Sequence, residues 1–335
     1  MAPLVFAQDR LQTLTVFDPD EVLSRPTALD QEALQRLPGP LLILGAGGKL
    51  GPTLARLAKR AAPALRVIAV SRFSRLETAQ ALAAQGIETI AADLLDERDL
   101  RELPEAPDII FLAGQKISTS ANPSLSWARN VLLPAKCCER FPNARWSVLS
   151  SGNIYPLSRF GATEQTPPDP VGECAQTMLG RERVFEYYGA HAVMIRLSYA
   201  VEYRYGVLLD IGQAVFERRP VDLRMGRFNC LWQRDANSVV LRALGMTGPL
   251  NVTGPETLTV RECALRFGRI FGVEPIFSGV ESEMALLSDA SRCVRLFGYP
   301  TVSPDEAIER IAAWIGMGGP VLGIPTHVER IEGRY

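Results

Sequence analysis

From Pro40 onward, short apolar runs alternate with stretches whose apolar residues recur at helical spacing. Leu41–Leu44 is a continuous apolar run closed by glycines, the pattern of a buried strand. Leu50, Leu54, Leu57 and Ala61 then recur at helical spacing up to Pro63. Arg66–Val70, Glu88–Ala92, Asp108–Leu112, Trp146–Leu149 and Ala192–Leu197 read as five further strands. Helices are expected at Glu77–Gln85, Leu125–Arg140 and Ala175–Tyr188. Strands alternating with helices predict an α/β fold whose parallel sheet is covered on both faces. After Ser198 the alternation weakens. Helices are expected at Val207–Arg218, Ala236–Leu244, Val260–Phe271, Glu283–Leu287 and Pro304–Met317, and short strands near Val221, Cys230 and Leu250–Val252. The pattern divides the chain into an N-terminal extension (1–39), a sheet domain (40–198) and a smaller mixed cap with a tail (199–335). No Pro/Ser-rich linker separates the last two, so they are expected to share a crevice.

Composition narrows the function classes. The chain has 335 residues, 47% hydrophobic and 22% charged, ordinary values for a globular protein. Lys plus Arg is 36, Asp plus Glu is 37, and the formal net charge is −1. That balance offers no basic footprint for nucleic acid and no polybasic membrane patch. No apolar run reaches the roughly 20 residues that span a bilayer. The first residues lack the basic n-region of a signal peptide. The 6 cysteines are scattered without a CxxC pair, which suits reduced thiols in a cytoplasm. With only 2 histidines, His191 and His327, no metal site is expected.

The candidate chemistry begins with glycines. Strand Leu41–Leu44 runs into Gly45, Gly48 and Gly51, a GxxGxxG spacing that opens a helix. The first glycine allows a tight turn, the second lets backbone approach a pyrophosphate, and the third lets helix pack on strand. Lys49 and Leu50 sit inside this loop, where helix N–H groups face the phosphates. The next strand leads into Ser71 and Arg72, where an NAD site would place an acid on the ribose 2′-hydroxyl. A cation there instead accepts a 2′-phosphate, so NADP is favoured over NAD. Asp93 and Leu94 follow the third strand, where Asp93 would face the adenine amino group or cap the strand end.

From these residues the chain resembles an extended short-chain dehydrogenase/reductase of the NAD-dependent epimerase/dehydratase family, over about residues 40–317. The resemblance rests on the glycine loop, Asp93-Leu94, Ala113-Gly114 after the fourth strand, the Ser150–Tyr155 run after the fifth, Arg196-Leu197, and the Asn251–Gly254 run. It implies a doubly wound parallel (Rossmann) sheet with a smaller mixed C-terminal cap, and a small-molecule substrate such as a sugar, sugar acid or nucleotide sugar. It also implies a homodimer through the helices after the fourth and fifth strands. The family uses a Ser and a Tyr-x-x-x-Lys pair. Ser151 matches the Ser, but with Leu179 and Glu182 setting the register, Cys174 falls on the Tyr position and Met178 on the Lys position. Met178 carries neither proton nor charge, so the ordinary hydride mechanism loses its ammonium; general acid–base help is worth roughly 10²–10⁴-fold. Tyr155, Lys116 and Cys174 are therefore the alternative proton carriers, each balanced by a structural reading. Tyr199, Tyr203 and Arg204 enter the cap as substrate contacts or cap packing, and Asp235 is expected to cap its helix. Three readings stand open: an enzyme of atypical mechanism, a catalytically degenerate dinucleotide-binding sensor or partner-binding protein, and a different reaction in the same crevice.

Overall fold

The computed structural model describes residues 17–114, 122–323 and 326. Two helices precede the sheet, α1 (Pro19–Leu23) and α2 (Ala28–Gln35). A capping box starts α2: the Asp30 N–H donates to the Thr27 hydroxyl, and the Thr27 N–H donates to the Asp30 carboxylate at 2.7 Å. There follow β1 (Leu41–Leu44), α3 (Gly51–Ala61), β2 (Val67–Ser71), α4 (Leu76–Ala83), β3 (Glu88–Ala91), α5 (Glu97–Glu102) and β4 (Asp108–Phe111). Helix α6 (Pro123–Trp127) passes through a π turn, Ala128–Leu132, into α7 (Leu133–Arg140). Next come β5 (Arg145–Ser151), α8 (Gly172–Tyr187), β6 (His191–Leu197), α9 (Val207–Phe216), α10 (Gln233–Arg242), β7 (Gly248–Val252), α11 (Val260–Phe271), α12 (Ser291–Phe297) and α13 (Pro304–Gly316). No helix among the described residues is long and apolar enough to cross a membrane.

The main sheet has seven strands in the order β7-β6-β5-β4-β1-β2-β3, all parallel. Period-2 geometry explains why its central strands β1, β2 and β4 are apolar almost throughout, whereas the edge strand β3 is only part-buried. In β1, Leu41 and Ile43 enter one core, with Leu54, Leu57 and Val240 of α3 and α10. Leu42 and Leu44 enter the other, with Phe111, Trp146 and Phe185. A third core joins α9, α11 and α13 around Trp232, Phe267 and Trp314. The chain winds outward from β1 in both directions, so the helices that follow β1 and β4 pack on opposite faces of the sheet. That switch point is where open α/β sheets bind ligands.

Three expectations need correcting. The strand foreseen near Leu250–Val252 is not part of the cap: it is β7, paired with β6 from Gly248↔Val193 to Val252↔Leu197. Glu283–Leu287 is not helical. Ala285 exchanges backbone hydrogen bonds with Ser158 at 2.9 and 3.0 Å, so long-range pairing overrides local propensity. Asp235 does not cap α10: it lies inside the helix, buried, and accepts hydrogen bonds from Thr301. The extension is also more than an appendix. Its Asp30 is fully buried against Arg234 and Ser238 of α10. Burial opposes ionisation of Asp30, but hydrogen bonds from Ser238 and Thr27 and the Arg234 charge outweigh it and hold the carboxyl below its usual range.

The third glycine of the loop is a packing residue. A Cβ on Gly51 would lie 2.2 Å from the Ala46 carbonyl oxygen. Gly51→Ala should therefore destabilise the fold by about 1–3 kcal/mol, read as a lower melting temperature without ligand.

Candidate functional site

A cavity of about 730 Å³ opens at the switch point. Gly45, Gly48, Lys49, Ser71, Arg72, Asp93, Leu94, Ala113 and Gly114 all line it, so the residues proposed for cofactor binding converge from four strand ends. Leu50 and Gly51 do not line it; Leu50 precedes α3 and Gly51 is its first, buried residue. The glycines divide their work. Gly45 has φ +89°, and a Cβ there would sit 2.4 Å from the Ala113 nitrogen, so this turn and the β4 exit leave no room for a side chain. A Cβ on Gly48 would meet only the Gly45 carbonyl oxygen, at an ordinary 3.4 Å. Packing therefore leaves Gly48 free to carry a side chain, and its bareness leaves space in the cavity.

One end of the cavity is rich in arginine. Arg72 and Arg75 line it beside Ser71, and Arg129 enters from the π turn. Burial and the nearby Arg72 charge weaken Arg129's hold on its proton, while Asp93 strengthens it. These groups share one small space. Asp93 also holds the local turn, accepting the Leu95 N–H at 3.1 Å.

The other end carries mixed charge. Lys49 donates to the Ala200 carbonyl at 2.9 Å and stands 3.3 Å over the Tyr205 ring. Arg204 pairs with Glu202 at 3.2 Å and with Asp20 of α1 at 2.7 Å. Arg56, on the second turn of α3, pairs with the same Asp20 at 3.3 Å. Burial pushes the Glu202 carboxyl up, against the opposing charges of Arg204 and Lys49.

The residues proposed for chemistry are placed otherwise. Ser151, Tyr155 and Cys174 are not among the described residues lining the cavity, and Lys116 and His327 lie outside the described residues. Ser151 ends β5, and its hydroxyl accepts the Asn153 N–H at 3.2 Å. Tyr155 is 2% exposed. Its hydroxyl accepts from Arg196 at 2.6 Å and donates to Asn251 at 2.9 Å, and burial raises its pKa despite the Arg196 contact. Cys174 is buried in the first turn of α8, and Met178 packs with Ile154, Tyr155 and Ala162. Tyr199 lies edge-on to Phe228, and Tyr203 is enclosed by Phe17, Trp232 and Trp314. Of the three proposed substrate contacts, Arg204 alone faces the cavity.

Two buried guanidinium groups lie behind these residues: Arg196, already part of the resemblance, and Arg181, which sequence reasoning passed over. Arg196 is bound by Glu182 at 2.7 Å, and Ser150 donates to the same carboxylate. Arg181 donates to the carbonyls of Leu149 and Ala113 at 2.6 and 2.8 Å and to Asn130 at 3.0 Å. Burial lowers its pKa to about 10, so it stays charged at neutral pH. It stands three residues beyond Met178 on the same helix face, and that spacing was the available signal. A buried cation therefore sits behind the β4 and β5 exits even though position 178 carries none.

The fold is thus a doubly wound parallel α/β sheet with a glycine-lined cavity at its switch point. Among solved structures the chain is similar to UDP-glucuronic acid 4-epimerase from Bacillus cereus in complex with NAD, with 17% identity and a TM-score of 0.69 over 83% of this chain and 99% of that one. It is similar to UDP-glucose 4-epimerase from Thermus thermophilus in complex with NAD, with 19% identity, a TM-score of 0.67 and the same coverage. The UDP-glucose 4-epimerase of Thermotoga maritima with UDP-glucose gives 16% identity and a TM-score of 0.69 over the same shares. No protein-family model and no curated protein matches the chain.

Removing Glu182 tests the buried network directly. Glu182→Ala leaves Arg196 buried without its counter-charge and should cost about 3–5 kcal/mol, measured by denaturant unfolding.

Proposed function

We propose that this protein binds a nicotinamide dinucleotide across the switch-point cavity and acts on a sugar, sugar acid or nucleotide sugar as an epimerase/dehydratase-like enzyme with an atypical proton carrier. One observation carries the reading. Nine of the residues selected from sequence for cofactor binding line a single cavity of about 730 Å³, at the place where the sheet diverges. The glycine loop would hold the diphosphate at the start of α3, and the Ser71 end would hold the adenosine. The substrate class is supported by the likeness of fold to the UDP-sugar epimerases. The chemistry a bound nicotinamide supplies is reversible hydride transfer; Ser151, Tyr155, Cys174 and Lys116 are this chain's candidates to bind the reacting oxygen or carry the proton.

NADP is the preferred cofactor in this reading, although the Bacillus cereus and Thermus thermophilus neighbours named above are complexes with NAD. Arg72, Arg75 and Arg129 gather at the end where a 2′-phosphate would lie, and Ser71 leaves the end of β2 itself without a carboxylate to repel it. A second reading rests on Tyr155, Cys174 and Met178. The Tyr155 hydroxyl is held between Arg196 and Asn251, and the other two are packed into the interior, an arrangement that suits a dinucleotide-binding sensor without turnover. In either reading a homodimer would use α6–α7 and α8, whose Trp127, Leu132 and Tyr187 are exposed.

Titration with NADPH and NADH, followed by fluorescence, tests the cofactor. NADPH should bind more tightly, and Arg72→Ala should weaken NADPH about ten- to a hundredfold while leaving NADH nearly unchanged. Gly48→Ala should weaken both without lowering the melting temperature, unlike Gly51→Ala. Product assays with UDP-glucose and UDP-glucuronic acid then separate the two readings: conversion supports the enzyme, and binding without conversion supports the sensor. Failure of both nucleotides to bind, with Asp20 of the cavity wall intact and with it replaced by Asn, would overturn the cofactor reading.

A further inference from the structure

The extension places a carboxylate where the proposed ligand would carry its own negative charge. Asp20 lines the cavity, and it is the shared partner of Arg56 on α3 and Arg204 on the cap side. Its position is built into the fold. The Arg60 guanidinium donates to Glu21 and Ser24 of the same segment, Leu23 enters the third core, and Asp30 is locked to Arg234. On the opposite side the Leu322 N–H donates to the Arg204 carbonyl at 3.0 Å, so the C-terminal segment meets the same arginine. Glu202 already supplies Arg204 with one buried carboxylate. Asp20 is therefore not needed to neutralise Arg204, and it takes up cationic capacity that Arg56 and Arg204 would otherwise direct into the cavity.

We propose that Asp20 is a tethered anion that competes with the diphosphate of a bound dinucleotide for Arg56 and Arg204, and so sets the affinity of the cavity. The inference rests on the dinucleotide reading of the same cavity and adds the control element. Two negative phosphates entering beside Lys49 meet a carboxylate already seated on two of the nearby cations. Either the Asp20 contact opens on binding or binding is weakened by the repulsion. An intramolecular partner acts at high effective concentration, so even one ion pair of modest strength competes measurably.

The test compares the full-length protein with Asp20→Asn, Asp20→Ala and Asp20→Glu. NADPH and adenosine 2′-monophosphate, which lacks the diphosphate, are titrated against each, with melting temperatures recorded. Asn and Ala should tighten NADPH by at least about fivefold at low salt, with the gain shrinking as salt rises. Glu should restore the wild-type value, and adenosine 2′-monophosphate should be unaffected. Nucleotide binding by Asp20→Asn where the wild type shows none supports the proposal most strongly. If the wild type binds NADPH and the Asn and Ala variants bind it no more tightly, the competition is overturned and the dinucleotide reading stands. Equal tightening of both ligands also overturns it, because a general field effect would then suffice. If no variant and no wild-type protein binds either ligand, the dinucleotide reading falls and the competition falls with it.

Discussion

The constraint on which the structure turns is the close approach of two backbones at the switch point. The turn after β1 must pass so near the exit of β4 that a Cβ on Gly45 would lie 2.4 Å from the Ala113 nitrogen. The start of α3 must press so closely on that turn that a Cβ on Gly51 would lie 2.2 Å from the Ala46 oxygen. Only glycine satisfies both. The consequence is a helix start beside a cavity that the bare glycines leave open. The strand order β4-β1-β2 keeps that space open, because the two halves of the sheet are covered by different helices.

Charge then shapes what the backbone leaves open. The carboxyl ends of the strands are supported from behind by guanidinium groups that never reach solvent. Arg196 joins α8, β6 and the Ser150–Tyr155 run through Glu182, Ser150 and Tyr155. Arg181 ties α8 to the carbonyls of Leu149 and Ala113 and to Asn130 on the π turn. The π turn matters here, because one extra residue in the helix shifts the positions of Asn130 and Arg129 relative to a regular helix. Asn130 meets the buried cation, and Arg129 meets the cavity.

The central strands β1, β2 and β4 were legible because each is a largely apolar run buried on both faces, a property the local pattern records; β3 is an edge strand and only part-buried. The seventh was misplaced for a physical reason. Gly248-Pro249-Leu250-Asn251-Val252 carries poor strand formers, and its place is fixed by pairing with β6 rather than by propensity. Proline is tolerated there because β7 is an edge strand. The glycine loop was legible because its steric requirements are local. Arg56, Asp20 and Arg204 were not, since their meeting joins the extension, the first helix of the sheet domain and the start of the cap. Nothing in the local spacing of any one of them reports the other two.

The same distinction bears on the Tyr-x-x-x-Lys pair of the family that the sequence resembles. Local matching places Met178 on the cation's position and suggests an interior stripped of charge. The three-dimensional arrangement differs: Arg181, one turn further along α8, holds a positive charge against the exits of β4 and β5. A guanidinium whose two terminal nitrogens are fixed by two carbonyls and an amide cannot move a proton as a lysine–tyrosine pair does, because burial lowers its pKa only to about 10. It can still impose a positive potential on groups at those strand ends. Met178 supplies no cation, yet Arg181 keeps a fixed positive charge beside the exits of β4 and β5.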